Sequence, residues 1–282
     1  MSWIVAILLN ILGGILAGLA LWGIELLIKF YRTQHPFRKF FGVDDEYNII
    51  YCLYNAPMCP HSDPSCKLVF RKKPRQSAGS QAHPGINLQE VTSVAGAKGV
   101  GFLVEAFSRN LKKSPKIVAD VDPIIETRRD ISFISLGGGT NHKTCDLLDN
   151  PSNIFVNLVA EPLSVIIKST NKELAKNGNA GTGKDFGFIV KIHPDNNYER
   201  TWISCFGFGI VGTIGAAHYI ANKWKQIRKY VNYQPFALMI QSQAGSEDSN
   251  IPIHLIVKRT GTIRERLRVY KAKKAGLEIT LI

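Results

Sequence analysis

The chain begins with an apolar run that is long enough to cross a membrane. Residues Trp3 to Phe30 include only Glu25 and Lys29 as charged side chains. About 20 apolar residues in a helix span the hydrocarbon core of a bilayer. A cleaved signal peptide would need a basic start and a shorter apolar core, whereas this run continues past Ala20. The sequence therefore predicts a transmembrane anchor helix over residues 1–32.

Charge and cysteine usage predict where the rest of the chain lies. Four basic residues follow the apolar run closely and none precedes it: Lys29, Arg32, Arg38 and Lys39. The positive-inside rule then predicts a single-pass protein of the inner membrane with its C-terminal part in the cytoplasm. Five irregularly spaced cysteines agree with a reducing compartment. Residues 33–47 are predicted as a juxtamembrane linker and residues 48–282 as the cytoplasmic domain.

One face of the predicted anchor carries small and polar residues. Asn10, Gly14, Gly18 and Glu25 fall in a stripe less than a quarter-turn wide. The Gly-x-x-x-Gly spacing permits close helix approach, and an asparagine amide can hydrogen-bond across helices. A buried Glu25 is costly unless it is paired, and Lys29 is four residues away. The stripe predicts a homo-oligomer, with a polar pore as a further hypothesis, and the alternative is a plain anchor.

Strand-like and helix-like segments alternate beyond residue 48. The predicted strands are Asn48–Tyr54, Lys116–Val121, Ile131–Leu136, Trp202–Phe206, Phe236–Gln241 and Ile253–Val257, and the predicted helices are Leu88–Lys112, Pro123–Arg129, Thr140–Leu148 and Gly212–Tyr230. This alternation indicates an α/β fold with a doubly wound, mostly parallel sheet. Strand-like residues 154–159, 164–169 and 186–193 predict an inserted β-hairpin.

Two glycine turns each follow a predicted strand and precede a predicted helix. They are Gly137-Gly138-Gly139 and Gly207-x-Gly209-x-x-Gly212. Glycines let backbone N–H groups converge on an anion, and a helix N-terminus adds a positive end. The carboxyl ends of parallel strands lie at the same edge of a sheet, so we expect the two turns to form one cleft. The predicted ligand contacts are Gly137, Gly138, Gly139, Thr140, Asn141, Thr144, Gly207, Gly209, Gly212 and Thr213. The alternative is that Thr140 and Asn141 cap the following helix and that the glycines allow a tight turn and close helix–strand packing.

No cofactor or metal is predicted. A dinucleotide fingerprint needs an acidic residue at the end of the next strand, where this chain has Gln241-Ser-Gln. The spacing of Cys52, Cys59, His61 and Cys66 fits no standard zinc pattern. The net charge of +13 favours anionic partners. For the basic tail Lys258–Lys274, which has no clear period, membrane lipid or plain solvation is favoured over nucleic acid.

Three segments together resemble bacterial Rossmann-like sensor domains. They are the N-terminal anchor, FISLGGGTNHKT, and KDFGFIVKIHPDNNYERTWISCFGFGIVGTIGAA. The family pattern has a GGP-x-x-N-x-x-T loop, then D-Y/F-G-x-I, then G-x-x-x-x-G-T-x-A-A. The matching positions are Asn141, Thr144, Asp185, Gly187, Gly207, Gly212 and Thr213. The resemblance covers Ile131–Tyr230, about a third of the chain, and departs at Gly139, where the pattern has proline.

The resemblance implies a membrane-anchored sensor or effector that responds to a nucleotide-derived anion, as in bacterial antiphage defence. Ligand binding would then control the self-associated membrane helices. One alternative is a nucleoside or NAD glycosidase or deoxyribosyltransferase. Such an enzyme needs a carboxylate beside the ribose, for which Asp120, Asp122 and Glu161 are candidates. Another alternative is a structural membrane protein that docks a partner.

Overall fold

A computed structural model describes residues 3–43, 47–56, 71–72, 89–92, 94–139, 141–160, 163–176, 184–243 and 246–282. Thr140, Glu161, Cys59, His61 and Cys66 lie outside the described residues.

The helices and strands follow the predicted alternation. The helices are α1 (Trp3–Lys29), α2 (His35–Phe41), α3 (Val94–Leu111), α4 (Pro123–Thr127), α5 (His142–Asp149), α6 (Ile210–Val231) and α7 (Ile263–Lys274), and a π-helical turn, Phe30–Gln34, joins α1 to α2. The strands are β1 (Tyr47–Tyr51), β2 (Leu53–Ala56), β3 (Arg71–Lys72), β4 (Gln89–Thr92), β5 (Lys116–Ala119), β6 (Ser132–Leu136), β7 (Val156–Ala160), β8 (Leu163–Ile167), β9 (Lys172–Lys176), β10 (Lys184–Ile192), β11 (Trp202–Gly207), β12 (Phe236–Gln243), β13 (Ser246–Val257) and β14 (Glu278–Leu281).

The main sheet of the described chain has eight strands in the order β14-β13-β12-β10-β11-β6-β1-β5. The pairings β5–β1, β1–β6, β6–β11 and β13–β14 are parallel. The pairings of β10 with β11, β10 with β12 and β12 with β13 are antiparallel. The α/β fold with a large, mostly parallel central sheet is therefore confirmed. Strands β10, β13 and β14 run opposite to the other five and make the sheet mixed.

The predicted hairpin differs in detail. β7, β8 and β9 form a separate antiparallel sheet in which β8 is central, whereas β10 joins the main sheet. Strand β9 was not predicted, because its residues, KELAK, carry little apolar signal. The predicted first strand is also divided, because β1 ends at Tyr51 and β2 pairs with β3 and β4 in a third sheet.

Both faces of the main sheet are covered by packed elements. Helices α2, α3 and α6 lie on one face, where Phe107 and Trp224 belong to one buried cluster. On the other face, Leu147 of α5 packs in a second cluster with Phe155 and with Val165 of β8. Burial on both faces is what a doubly wound sheet requires.

The predicted juxtamembrane linker is instead largely helical and belongs to the core. Phe37, Phe40 and Phe41 of α2 are fully buried. The Phe37 ring lies 5.2 Å from Trp224 and 5.1 Å from Phe107, both in T-shaped geometry. The segment predicted as a linker, 33–47, thus contains a helix in which three aromatic side chains within seven residues pack against α3 and α6.

A buried lysine fastens α2 to the main sheet. Lys191 of β10 donates from Nζ to the carbonyl oxygens of Phe40, at 2.8 Å, and Tyr233, at 3.0 Å. The same Nζ lies 4.9 Å from the centre of the Phe40 ring. Complete burial lowers the pKa of Lys191 to about 7, because a charged ammonium is desolvated there.

One described helix is long and apolar enough to span a membrane. This continuous helical run covers Ile11–Phe41, which includes most of α1, the π-helical turn and α2. Its most apolar stretch has a mean hydropathy of 2.1, and no residue of that stretch is buried. A Cβ atom added at Gly14 or Gly18 would meet nothing within 4 Å, and Glu25 is exposed. Gly14, Gly18 and Glu25 of the predicted stripe are thus open on the single chain, and the Asn10 side chain lies outside what the structure describes.

The C-terminal segment is ordered into α7 and β14, although its sequence shows no clear period. Only Glu265 and Ala272 of α7 are buried. The Thr262 side chain accepts a hydrogen bond from the Glu265 N–H at 3.2 Å, and the Glu265 carboxylate accepts from the Thr260 N–H at 2.7 Å. These bonds define the start of α7, and β14 then pairs in parallel with β13.

Candidate functional site

The two glycine turns line a single cleft at the carboxyl ends of β6 and β11. The cleft has a volume of about 220 Å³. Its walls come from five separate segments and consist of Cys52, Ala95, Gly96, Leu136, Gly137, Gly138, Gly207, Phe208, Gly209, Ile210 and Thr213. Among the predicted ligand contacts, Gly137, Gly138, Gly207, Gly209 and Thr213 are therefore brought together.

Two long helices begin at this cleft. Ala95 and Gly96 belong to the first turn of α3, and Gly209 precedes the first residue of α6, Ile210. Both helix N-termini place partial positive charge at the cleft. Within the described residues, the backbone N–H groups of Gly138 and Ile210 donate to no acceptor. The contribution of α3 was not predicted, because the glycines near its start weaken the helix pattern.

The first turn is held from beneath by buried hydroxyl groups. Gly137 has a φ of 110°, which favours glycine, and its N–H donates to the Cys205 carbonyl at 3.0 Å. The Thr144 hydroxyl donates to the Gly137 carbonyl at 2.7 Å and lies 2.8 Å from the Ser135 hydroxyl and 2.9 Å from that of Ser204. Thr144 is completely buried, so it supports the turn from outside the cleft.

The Asn141 side chain is likewise bonded to backbone groups of the protein. Its side-chain oxygen accepts from the N–H groups of Lys143, at 3.0 Å, and Thr144, at 3.2 Å. Its side-chain nitrogen donates to the carbonyls of Leu136, at 3.0 Å, and Ile50, at 3.3 Å. Asn141 is fully buried. It therefore caps α5 and joins that helix to β1 and β6, in agreement with the capping alternative.

The second turn already holds an anion supplied by the protein. The Asp185 carboxylate on β10 accepts from the N–H of Gly212 at 2.6 Å and from that of Gly209 at 3.0 Å. These two donors at the start of α6 are therefore occupied. A carboxylate at a helix N-terminus is stabilised by the helix dipole. Asp185 matched the family pattern, but the sequence alone assigned it no contact.

Close packing explains Gly207 and Gly212. A Cβ atom on Gly207 would lie 2.6 Å from the Thr213 nitrogen, and one on Gly212 would overlap the Phe186 carbonyl. A Cβ atom on Gly187 would in turn overlap the Gly212 carbonyl. At Gly138, by contrast, the nearest atom would be 3.8 Å away, in Leu158. Glycine is thus required where strand and helix backbones touch, whereas a Cβ atom at Gly138 would make only ordinary van der Waals contacts.

The two candidate catalytic carboxylates that the structure describes, Asp120 and Asp122, are engaged elsewhere. Asp120 is fully buried and accepts from the His142 N–H at 3.0 Å. Asp122 caps α4 by accepting from the N–H groups of Ile124 and Ile125. Neither residue lines the cleft. Among the residues that the structure describes, no three His, Cys, Asp or Glu side chains are grouped to hold a metal ion.

Comparisons with known proteins add no assignment. No protein-family model matches the chain, and neither does any curated protein or solved structure. The resemblance to Rossmann-like sensor domains therefore stays a prediction.

Proposed function

We propose that this chain is a membrane-anchored sensor or effector whose cytoplasmic cleft binds a nucleotide-derived anion. The supporting observation is the convergence of the α3 and α6 N-termini with the Gly137–Gly139 turn on one cleft. Helix N-termini and glycine turns are recurrent phosphate sites. The cleft volume of about 220 Å³ is below the roughly 300–1,000 Å³ of drug-sized sites. It suits the phosphate end of a nucleotide, with the base outside.

Two elements connect this cleft to α2, the helix that follows the proposed membrane anchor. Strand β10 carries Asp185 at the cleft and Lys191 beneath α2. Helix α6 begins at the cleft and contacts Phe37 through Trp224. Because α2 continues through the π-helical turn into α1, a shift of α6 or β10 would reach the membrane helix. This continuity supports control of self-associated membrane helices by the cleft.

Binding is favoured over nucleoside chemistry. Asp120 and Asp122 hold backbone N–H groups and do not line the cleft. Asp185, which is at the cleft, is already bonded to the N–H groups of Gly209 and Gly212. A glycosidase or deoxyribosyltransferase needs a carboxylate that can reach the ribose. The role that fits the cleft is therefore ligand recognition by backbone donors.

Filling the cleft should remove binding and leave the fold intact. We expect nucleotides, cyclic nucleotides or inorganic phosphate to raise the melting temperature of the detergent-purified chain. Saturation at 100 times the Kd adds about 2.7 kcal/mol. Gly138→Val should lose this shift while melting close to wild type, because its side chain adds bulk at the cleft and its Cβ atom makes only ordinary van der Waals contacts. Because exposed charges are screened by salt, the shift should shrink as salt rises.

The matched control is Gly101→Val, because a Cβ atom there meets nothing within 4 Å and the residue is outside the cleft. It should keep the nucleotide shift. The proposal fails if no compound stabilises the wild type, or if Gly138→Val responds as the wild type does.

The proposed self-association can be tested on the helix stripe. Replacing both Gly14 and Gly18 by leucine should weaken oligomers in mild detergent about tenfold or more, because close helix approach is blocked. Gly23→Leu, on the opposite side of α1, is the matched control. Cross-linking or analytical ultracentrifugation measures the oligomer. Unchanged assembly of the double variant would exclude the stripe as the contact.

A further inference from the structure

Helix α7 exposes a narrow apolar stripe to solvent. Ile263 is 77% exposed, Leu267 55% and Tyr270 63%. At 100° per residue these three side chains fall within about 60° of the helix circumference. The buried residues of α7, Glu265 and Ala272, lie on the opposite side. The stripe therefore points away from the face that attaches α7 to the domain.

Basic side chains border this stripe on both sides. Arg264 and Lys271 follow one edge, and Arg266 and Lys273 follow the other; all four are exposed. The only acidic residue of α7 is Glu265, which is buried and bonded to Thr260. The outward face of α7 is thus apolar in its centre and cationic at its margins. A helix of this kind lies at the surface of an anionic membrane.

We propose that α7 is a docking surface for an anionic lipid bilayer. Its three apolar side chains would enter the boundary between headgroups and acyl chains, and the four flanking cations would contact lipid phosphates. Anionic lipids of the cytoplasmic leaflet attract such clusters. This inference rests on the proposed membrane attachment and adds the surface through which the domain lies on the membrane.

The position of α7 in the fold agrees with this assignment. Phe236 of β12 pairs with Val257, the last residue of β13, and its ring lies 6.3 Å from Phe40 of α2. Helix α7 begins six residues after Val257. The first turn of α7 and helix α2 are therefore at the same end of the sheet. Tethering through α1 raises the local lipid concentration, so a small contact area is sufficient.

Hydrogen–deuterium exchange on the full chain in lipid nanodiscs tests the proposal. Exchange of the α7 amides should slow several-fold in discs that contain phosphatidylglycerol, relative to discs of phosphatidylcholine alone. Leu267→Gln should reduce this protection. Replacing the four flanking cations by glutamine should abolish it. The matched control replaces four exposed cations outside α7 by glutamine and should leave it unchanged: Lys112, Lys116, Arg129 and Lys172.

Photocrosslinking identifies what covers the stripe. With p-benzoylphenylalanine in place of Tyr270, a lipid adduct is expected in anionic discs, and the same group in place of the exposed Ile124 should give none. An adduct with protein or nucleic acid in cells, and none with lipid, would overturn the proposal. So would equal α7 exchange in both disc types. Failure of the chain to enter discs of either composition would instead overturn the proposed membrane attachment itself.

Discussion

A chain that begins at Asp44 is expected not to fold, whereas one that begins at Thr33 should unfold cooperatively. The shorter chain lacks Phe37, Phe40 and Phe41, which are fully buried. Removing one buried phenylalanine side chain typically costs about 3–5 kcal/mol. Because a whole domain is stable by only about 5–15 kcal/mol, losing all three removes most or all of that stability. Circular dichroism during heating compares the two chains.

A point substitution tests the same interface in the full chain. Phe41→Ala should lower the free energy of unfolding by about 3–5 kcal/mol. Phe30→Ala is the control, since Phe30 is 39% exposed and belongs to the π-helical turn. Cooperative unfolding of the Asp44 chain at the melting temperature of the longer one would show that α2 is dispensable.

Gly212→Ala is the second substitution with a large expected effect. Its new methyl group would overlap the Phe186 carbonyl, and neither backbone can move without disturbing β10 or α6. Forcing extra atoms into a packed interior costs about 1–3 kcal/mol and occasionally more. We expect about 3 kcal/mol or more here, because the atoms in contact are backbone. The loss is measured by thermal or urea unfolding.

Gly209→Ala is the matched control in the same turn. Its Cβ atom would meet only the Asp185 side chain, at 3.0 Å. It should therefore be destabilised much less than Gly212→Ala. If Gly212→Ala melts within a degree or two of wild type, β10 and α6 do not approach each other as closely as described. A Gly212 variant could lose ligand binding simply because its fold is destabilised. Gly138 is therefore the position that tests the cleft.

The sequence predicted the elements whose apolar period is strong. Strands β1, β6 and β11 and helix α6 were placed within a few residues, because each buries a continuous or helical set of apolar side chains. The adjacency of the two glycine turns followed from parallel strands ending at one edge of the sheet. Helices α2 and α7 were not predicted, for two different reasons. The first is short and follows a basic segment, whereas the second buries only Glu265 and Ala272.

The contacts within the site depended on pairings that sequence spacing does not encode. Asp185 reaches Gly212 only because β10 reverses direction between β11 and β12. Asn141 carries a polar side chain in a turn, which suggested a ligand contact. Its four hydrogen bonds to backbone appear only when β1, β6 and α5 are assembled. The contribution of α3 to the cleft likewise depends on its packing against α6.

The Asp185 carboxylate has a consequence for which anions the cleft admits. A ligand that takes the N–H groups of Gly209 and Gly212 must compete with a carboxylate fixed on the same molecule. Such an internal competitor is present at a high effective concentration, of millimolar order or above, which dilution cannot lower. Simple monoanions such as chloride or acetate offer no advantage over it. A phosphate dianion carries more charge and more acceptor oxygens, so it can displace the carboxylate where weaker anions do not.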